Sequence, residues 1–434
     1  MTTRRLLIRP PAAALTVEDL AWRDPGPQSS FNTRLGPDLR RIGEVPLPHR
    51  DLFAVATAVF LADRTVKRPR GWKRQLEIEV PVYDVQPWRS VSSRLAAVLE
   101  LLTADAWQIT FIERMLPAEV SAAASRADAD RVLLFSGGAD SLCGAIRALT
   151  AGERLLLVSH WDWSGHSAIQ RKVAGALANR FPDQVSLRQV HLAKSRQQPT
   201  GARFPDEPSR RSRSLLFLAC GLAYAAIEPQ TPMWIAENGY AALNPPLAGE
   251  RRGALSTRTT HPLVLDEVRQ IVEAVGGTAN FENPFEQLTK GQMFAEAGAA
   301  LGSDDASKLL SMSHSCSHVR YAAGTGYPPE TQCGVCFGCL VRRAAFAASG
   351  IPDQSVYLNQ AIPVDRQPPH LRVTAENEVR TVRYAARRGL SEVDLVSMGL
   401  PATVSIETAL DVAVRGLSEL GHVVDAQPDL KRIR

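Results

Sequence analysis

Cys316, Cys333, Cys336 and Cys339 fall in a C-x16-C-x2-C-x2-C pattern, four of the six cysteines of the chain. Each C-x2-C step puts two sulfurs on one tight turn, helped by Gly334 and Gly338, and Cys316 is expected to close the set from a separate strand. Four thiolates around Zn²⁺, with Zn–S bonds of ~2.3 Å, leave no open position, so such a site is structural. An iron–sulfur cluster is the competing occupant, because thiolates serve both. His314 and His318 flank Cys316 as alternative ligands. Crowding of this kind points to metal rather than disulfides.

A second cluster lies at Leu133–Leu142, "LLFSGGADSL". An apolar run stops at Ser136, Gly137 and Gly138 follow, and a helix is expected from Ser141. Glycines let the backbone bend and approach a ligand with no Cβ in the way. A helix N-terminus aims free N–H groups and a positive dipole end at the same place. Ser136, Gly137, Gly138, Ala139, Asp140 and Ser141 thus make an anion nest sized for phosphate, with two hydroxyl donors. Asp140 would repel a bare phosphate, which implies a bridging Mg²⁺. The lysine loop of ordinary P-loop ATPases is absent. The blander alternative is a glycine turn with Asp140 and Ser141 as helix caps.

Other residues carry weaker signals. His160 and Glu237 end apolar runs and are candidates for proton handling, His160 also for a nucleotide-pocket wall. "STRTTHP" surrounds Arg258 with hydroxyls, either to hold a carboxylate or purine edge or merely to cap the helix after Pro262. Arg64, Lys67, Arg68, Arg70, Lys73 and Arg74, with Trp72 among them, read as a solvated loop, with contact to nucleic acid or an acidic partner as the alternative. Cys143 and Cys220 sit on apolar helix faces and read as core.

These residues must be positioned by a chain of 434 residues with 45% hydrophobic and 22% charged content, an ordinary globular composition. The net charge of +5, from 50 basic and 45 acidic residues, does not by itself indicate nucleic acid. No run approaches the ~18 apolar residues of a membrane span. The early prolines and missing cleavage pattern argue against a signal peptide, so a cytoplasmic protein is expected. Residues 1–40 lack periodicity and read as an arm or irregular cover. Helical spacing from Asp51 to Val66, alternation in "QLEIEVPVYD", a helix near Val91–Leu102 and a strand at "WQITFIE" predict a small α+β domain over 1–116. A linker spans 117–130. Over 131–355 apolar runs alternate with helical patterns, which predicts an α/β fold with a parallel sheet and helices on both faces. Ligands of such sheets bind at the carboxyl ends of the strands. Residues 356–434 form a tail with one amphipathic helix through Ile406, Leu410, Ala413, Leu417 and Leu420.

The S-G-G-x-D-S string after "VLLF" resembles the pyrophosphate loop of the adenine-nucleotide α-hydrolase superfamily, the PP-loop ATP pyrophosphatases. With the cysteine knuckle, residues 131–353 are similar to the QueC-like family, the 7-cyano-7-deazaguanine synthases. "RSLLFLACGLAYA" matches the family's arginine-led helix at Arg213, "NPFEQLTKGQM" its lysine segment at Lys290, and "CGVCFGCLVRRAAFAASGIPD" its zinc knuckle. "SHWDWSGHS" and "AENGYAALNPPLAGERRGALSTRTTHP" depart from the compact pathway enzymes and look more like QueC-like proteins of bacterial anti-phage operons, especially the Qat system.

The resemblance implies an enzyme that uses ATP, Mg²⁺ and structural Zn²⁺, releases AMP and pyrophosphate, and adenylates a 7-deazapurine carboxylate or related acid for amide or nitrile formation or conjugation. It implies Asp140, Lys290 and Ser136 as catalytic, the Ser136–Ser141 loop with His160 on the nucleotide, and Arg213, Glu237, Asn238 and Arg258 on the substrate. A non-catalytic nucleotide-binding scaffold in a defence complex is the alternative. The implied partners are a small deazapurine-like molecule and proteins of a defence operon.

Overall fold

The protein is described by a computed structural model covering residues 2–8, 15–23, 29–69, 73–115, 128–198, 200–209, 211–227, 232–247, 258–318 and 321–433. Most of the expected linker, Arg70, Trp72, and Ser256 and Thr257 of "STRTTHP" lie outside the described residues.

Two sheets organise the chain. The smaller, N-terminal sheet contains β1 (Thr2–Ile8), β2 (Asp19–Trp22), β4 (Gln75–Val82) and β5 (Ala106–Glu113) in the order β2-β1-β4-β5, all parallel. β3 (Phe31–Thr33) leaves it and pairs antiparallel at the edge of the larger sheet. The described residues of 1–40 are therefore not merely an irregular cover. Their strands are too short to show a period, and β1 is held by pairing with β4, some 70 residues away.

Helix α1 (Leu47–Thr65) is buried on nearly every side, because it lies between the small sheet and helices of the larger unit. α2 (Val85–Thr103) covers the small sheet, with Leu95, Val98, Leu99 and Leu102 inward. One continuous core joins Leu6, Phe60 and Val80 to Val132, Leu216 and Val268 of the larger unit.

The larger sheet follows the order β10-β9-β6-β7-β8-β3. Its central strands are β6 (Arg131–Leu134), β7 (Leu155–Trp161), β8 (Val185–Lys194), β9 (Met233–Trp234) and β10 (Phe281–Glu282), and all five run parallel. Strands such as "LLLVSHW", apolar with no alternation, are what a sheet covered on both faces requires. The helices between them are α3 (Ala139–Thr150), α4 (Ser164–Arg180), α5 (Arg213–Ala225), α6 (Gly239–Leu243) and α7 (Pro262–Ala274). α8 (Lys290–Leu301), α9 (Ser303–Met312) and α10 (Phe337–Ser349) follow, and they pack with α3 in the core of the opposite face. The chain moves outward from β6 to β7 and β8, then returns to place β9 on the other side of β6. The reversal of strand order therefore lies between β6 and β9, where an open α/β sheet forms its ligand crevice.

Beyond it, α11 (Leu358–Ala361), α12 (Pro369–Arg388), α14 (Ile406–Ala426) and α15 (Pro428–Lys431) wrap the cysteine segment, sharing a core with Cys333, Leu340 and Ala344, while α13 (Glu392–Val396) packs Leu395 in a smaller cluster with Leu243 and Ala409. No helix among the described residues is long and apolar enough to cross a membrane.

Of the described basic run, Lys67 and Lys73 are exposed as a solvated loop would have them, but Arg68 and Arg74 are not. Arg74 is buried, with Nη2 2.6 Å from Asp105 and a second ion pair to Asp63. Arg68 pairs with Asp105 at 2.8 Å and with Glu207 at 3.5 Å. Asp63 also accepts hydrogen bonds from the Ser209 and Ser212 hydroxyls, both 2.8 Å, just before α5. Of the acids that neutralise these arginines, Asp63 adjoins the run in sequence, but Asp105 and Glu207 are distant. Lys73 alone of the described cations Arg68, Lys73 and Arg74 makes an exposed pair, with Glu100.

Candidate active site and metal centre

The phosphate-loop segment sits at the carboxyl end of β6. Gly137 has φ +78°, a conformation that disfavours a Cβ. α3 starts at Ala139, two residues earlier than the sequence suggests, with Gly138 as N-cap and no side-chain cap. Its first-turn amides are left for a ligand, and Asp140 is not an ordinary cap. The Ser136 hydroxyl accepts from Gly138 N at 3.2 Å and lies 3.3 Å from the Ser141 hydroxyl, which itself donates to Gly138 O.

Asp140 and Lys290, expected to serve metal and nucleotide separately, are each other's partners, with Oδ2 and Nζ 2.6 Å apart. Asp140 Oδ1 accepts from the Asn238 backbone at 3.1 Å and its side-chain amide at 2.8 Å. Asn238 Nδ2 also reaches Glu237 at 3.2 Å. Burial pushes the Glu237 carboxyl up to about 8, with Asp140 adding to the effect. Burial works against the Lys290 ammonium, but Asp140 and Glu237 outweigh it and its pKa is raised. The three groups form one electrostatic unit at the mouth of β6 and β9. Asn283, which the sequence reading missed, fastens that unit: its Oδ1 accepts from Glu237 N at 3.2 Å and its Nδ2 donates to Glu237 O at 2.7 Å. The asparagine before a proline in "ENPF" was the available signal.

A cavity of about 300 Å³ opens beside these groups. Leu134, Phe217, Leu218 and Ile235 give it apolar walls, and Ser136, Ser141, Arg213 and Glu237 a polar side. Thr259 and Thr260 of "STRTTHP" line it, whereas Arg258 is not among its walls. His261 Nδ1 accepts from Leu263 N at 3.3 Å, so this histidine caps α7. His160 does not join the site. It is buried, with Nε2 3.0 Å from Leu192 O and its ring edge-on to Phe60 of α1. Burial, then Arg213, lowers its pKa to about 3.

The four cysteines converge. Their sulfurs lie within 4.8 Å of one another, all buried. Cys333 and Cys339 are 3.8 Å apart and Cys316 and Cys336 3.9 Å. Thiolates ~2.3 Å from a common centre stand ~3.8 Å apart at tetrahedral corners, so the set can hold a metal ion and its dimensions are consistent with zinc. Backbone N–H groups of Cys333, His318 and Cys336 point at sulfurs from 3.2 to 3.4 Å. Cys316 comes from irregular chain after α9 rather than from a strand. His314 and His318 are not part of the set, and His318 stacks on Tyr321 at 4.2 Å. A Cβ on Gly338 would lie 2.3 Å from Ser315 O, which explains the glycine. The knuckle also touches the loop, since His314 N donates to Gly137 O at 3.1 Å. Buried Arg342 holds that stretch through Ser313 Oγ at 2.6 Å.

No protein-family model matches the chain. No solved structure matches it. Over 249 residues, 52% of this chain and 96% of the relative, it is 27% identical to a 7-cyano-7-deazaguanine synthase of Desulfatibacillum aliphaticivorans. With the glycine loop at the strand-order reversal and the four-cysteine centre, this distant similarity points to the PP-loop ATP pyrophosphatase superfamily.

Proposed function

We propose that the protein is an ATP-dependent synthase that cleaves ATP between its α and β phosphates to adenylate a carboxylic acid of the 7-deazapurine class. The observation that carries this reading is the α3 N-terminus without a side-chain cap, whose flanking Ser136 and Ser141 line a cavity that Glu237 also lines, next to the Asp140–Lys290 pair. The substrate carboxylate would attack the α-phosphorus, the α–β bridging bond would break, and pyrophosphate would leave. An amine or ammonia would then displace AMP from the acyl-adenylate.

The α3 amides and the Ser136 and Ser141 hydroxyls would hold the departing phosphates. Lys290 would turn from Asp140 toward charge developing at the α-phosphate. Glu237, largely protonated near neutral pH, would donate a hydrogen bond to an anionic ligand. Asp140 is an oxygen donor of the kind Mg²⁺ takes, and the ion would offset pyrophosphate charge. The cysteine set would hold Zn²⁺ as a structural ion. A role with operon partners would follow from the resemblance of "SHWDWSGHS" and the segment through "STRTTHP" to QueC-like proteins of anti-phage operons.

The test is pyrophosphate release from ATP with and without a 7-deazapurine-7-carboxylic acid. Acid-stimulated release that Asp140→Ala abolishes, with the fold retained, supports the reading. Release indifferent to the acid would remove the substrate class, and release retained by Asp140→Ala would remove the site.

A further inference from the structure

The C-terminal helix α14 grips both segments that serve Asp140. On one side, the Thr289 hydroxyl donates to Glu419, and Gly291 N donates to Glu419 Oε2 at 3.2 Å. These residues bracket Lys290 at the first turn of α8. Arg415 holds the same turn through Gln292 Oε1 and through Gln287 O at 3.0 Å. On the other side, α14 seats the turn that follows Asn238. A Cβ at Gly416 would lie 2.4 Å from the Tyr240 ring, and one at Gly239 3.1 Å from Val412. Gly239 N donates to Leu288 O at 2.8 Å and ties the two segments together.

Thr289 already caps α8 through a complete capping box with Gln292, so α8 does not need Glu419 in order to start. The carboxylate adds a fixed orientation for the turn that carries Lys290. It fills the space beside Gly291, where a Cβ would come within 2.5 Å of Glu419 Oε1.

We propose that Glu419 is a positioning residue, through which α14 holds the Lys290 turn in register with Asp140, so that the tail is part of the catalytic apparatus. The inference rests on the ATP-cleaving reading of the same site. Displacing a catalytic group by ~1 Å can cost ~10²-fold in rate.

Three variants of the full chain test it: Glu419→Ala, Glu419→Gln and Val382→Ala. Val382 packs in the core that α12 shares with α14, and no residue of α8 belongs to that core. We expect Glu419→Ala to lower kcat for pyrophosphate release by about tenfold or more with KM for ATP within about twofold. Glu419→Gln, which keeps an acceptor, should recover to within about threefold of the parent. Val382→Ala should lower the melting temperature yet keep kcat. Hydrogen exchange at the Gly291 amide should quicken in Glu419→Ala whatever the reaction proves to be. An unchanged kcat in Glu419→Ala, or an equal loss in Val382→Ala, would overturn the proposal. If the parent releases no pyrophosphate, the ATP reading fails, and unchanged Gly291 exchange would then overturn the positioning contact on its own.

Discussion

Replacing Glu237 by glutamine should stabilise the free protein at alkaline pH and leave it nearly unchanged near pH 5. In the folded chain the withdrawal of this carboxyl from water, with Asp140 beside it, pushes it up from 4.5 to about 8. Over that window the native state keeps a proton that the unfolded chain releases. Stability is therefore fully present below the unfolded pKa and declines as pH rises through the folded one. The whole shift would correspond to about 5 kcal/mol at alkaline pH. Glu237 is only half-buried and keeps some water, so about 1–3 kcal/mol is the realistic share. Glutamine is isosteric with the protonated acid and has nothing to ionise, so its stability curve should lack this decline. Asp51, pushed up to about 7 by burial, titrates in the same range and is common to both proteins. The quantity to read is thus the difference between variant and parent, from urea unfolding at pH values from about 5 to about 9. A gain for Glu237→Gln that grows with pH is expected. A constant offset, or a loss that grows with pH, would refute the electrostatic unit drawn here.

The metal centre should contain about one zinc per chain and little iron, and Cys336→Ser should yield insoluble or readily proteolysed protein, since a structural zinc contributes ~10 kcal/mol or more. Because His314 donates to Gly137, chelation should also weaken ATP binding, which calorimetry on the still-folded fraction would detect. Arg74→Met should cost about 3 kcal/mol by taking from buried Asp63 and Asp105 their closest cation and leaving Arg68 to serve both, while Lys73→Ala should cost under about 1 kcal/mol, both read from unfolding curves. Arg213→Ala, which removes a charged wall of the cavity, should reduce ATP turnover about tenfold or more without lowering the melting temperature appreciably.

The pieces that were legible in the sequence are those whose chemistry is local. The glycine turn, the C-x2-C steps and the apolar strands of the larger sheet are written in consecutive residues, and the α/β expectation for that sheet follows from them. What stayed hidden depends on partners distant in the chain. Arg68 and Arg74 look like surface charges until Asp105 and Glu207 are brought beside them. β1 has no readable period because β4 decides its place. Asp140 and Lys290, separated by 150 positions, each suggested a ligand, and their pairing appears only when α3 and α8 pack together. His160 misled for a related reason: a strand-end histidine can face the crevice or the covering helix, and Phe60 of α1 receives it.

The central claim is α–β cleavage, and product identity from ATP labelled at the α-phosphorus tests it most directly. In the presence of a 7-deazapurine acid, the label should appear in AMP, with one pyrophosphate released for each AMP formed. Label accumulating in ADP, with orthophosphate in place of pyrophosphate, would contradict the account.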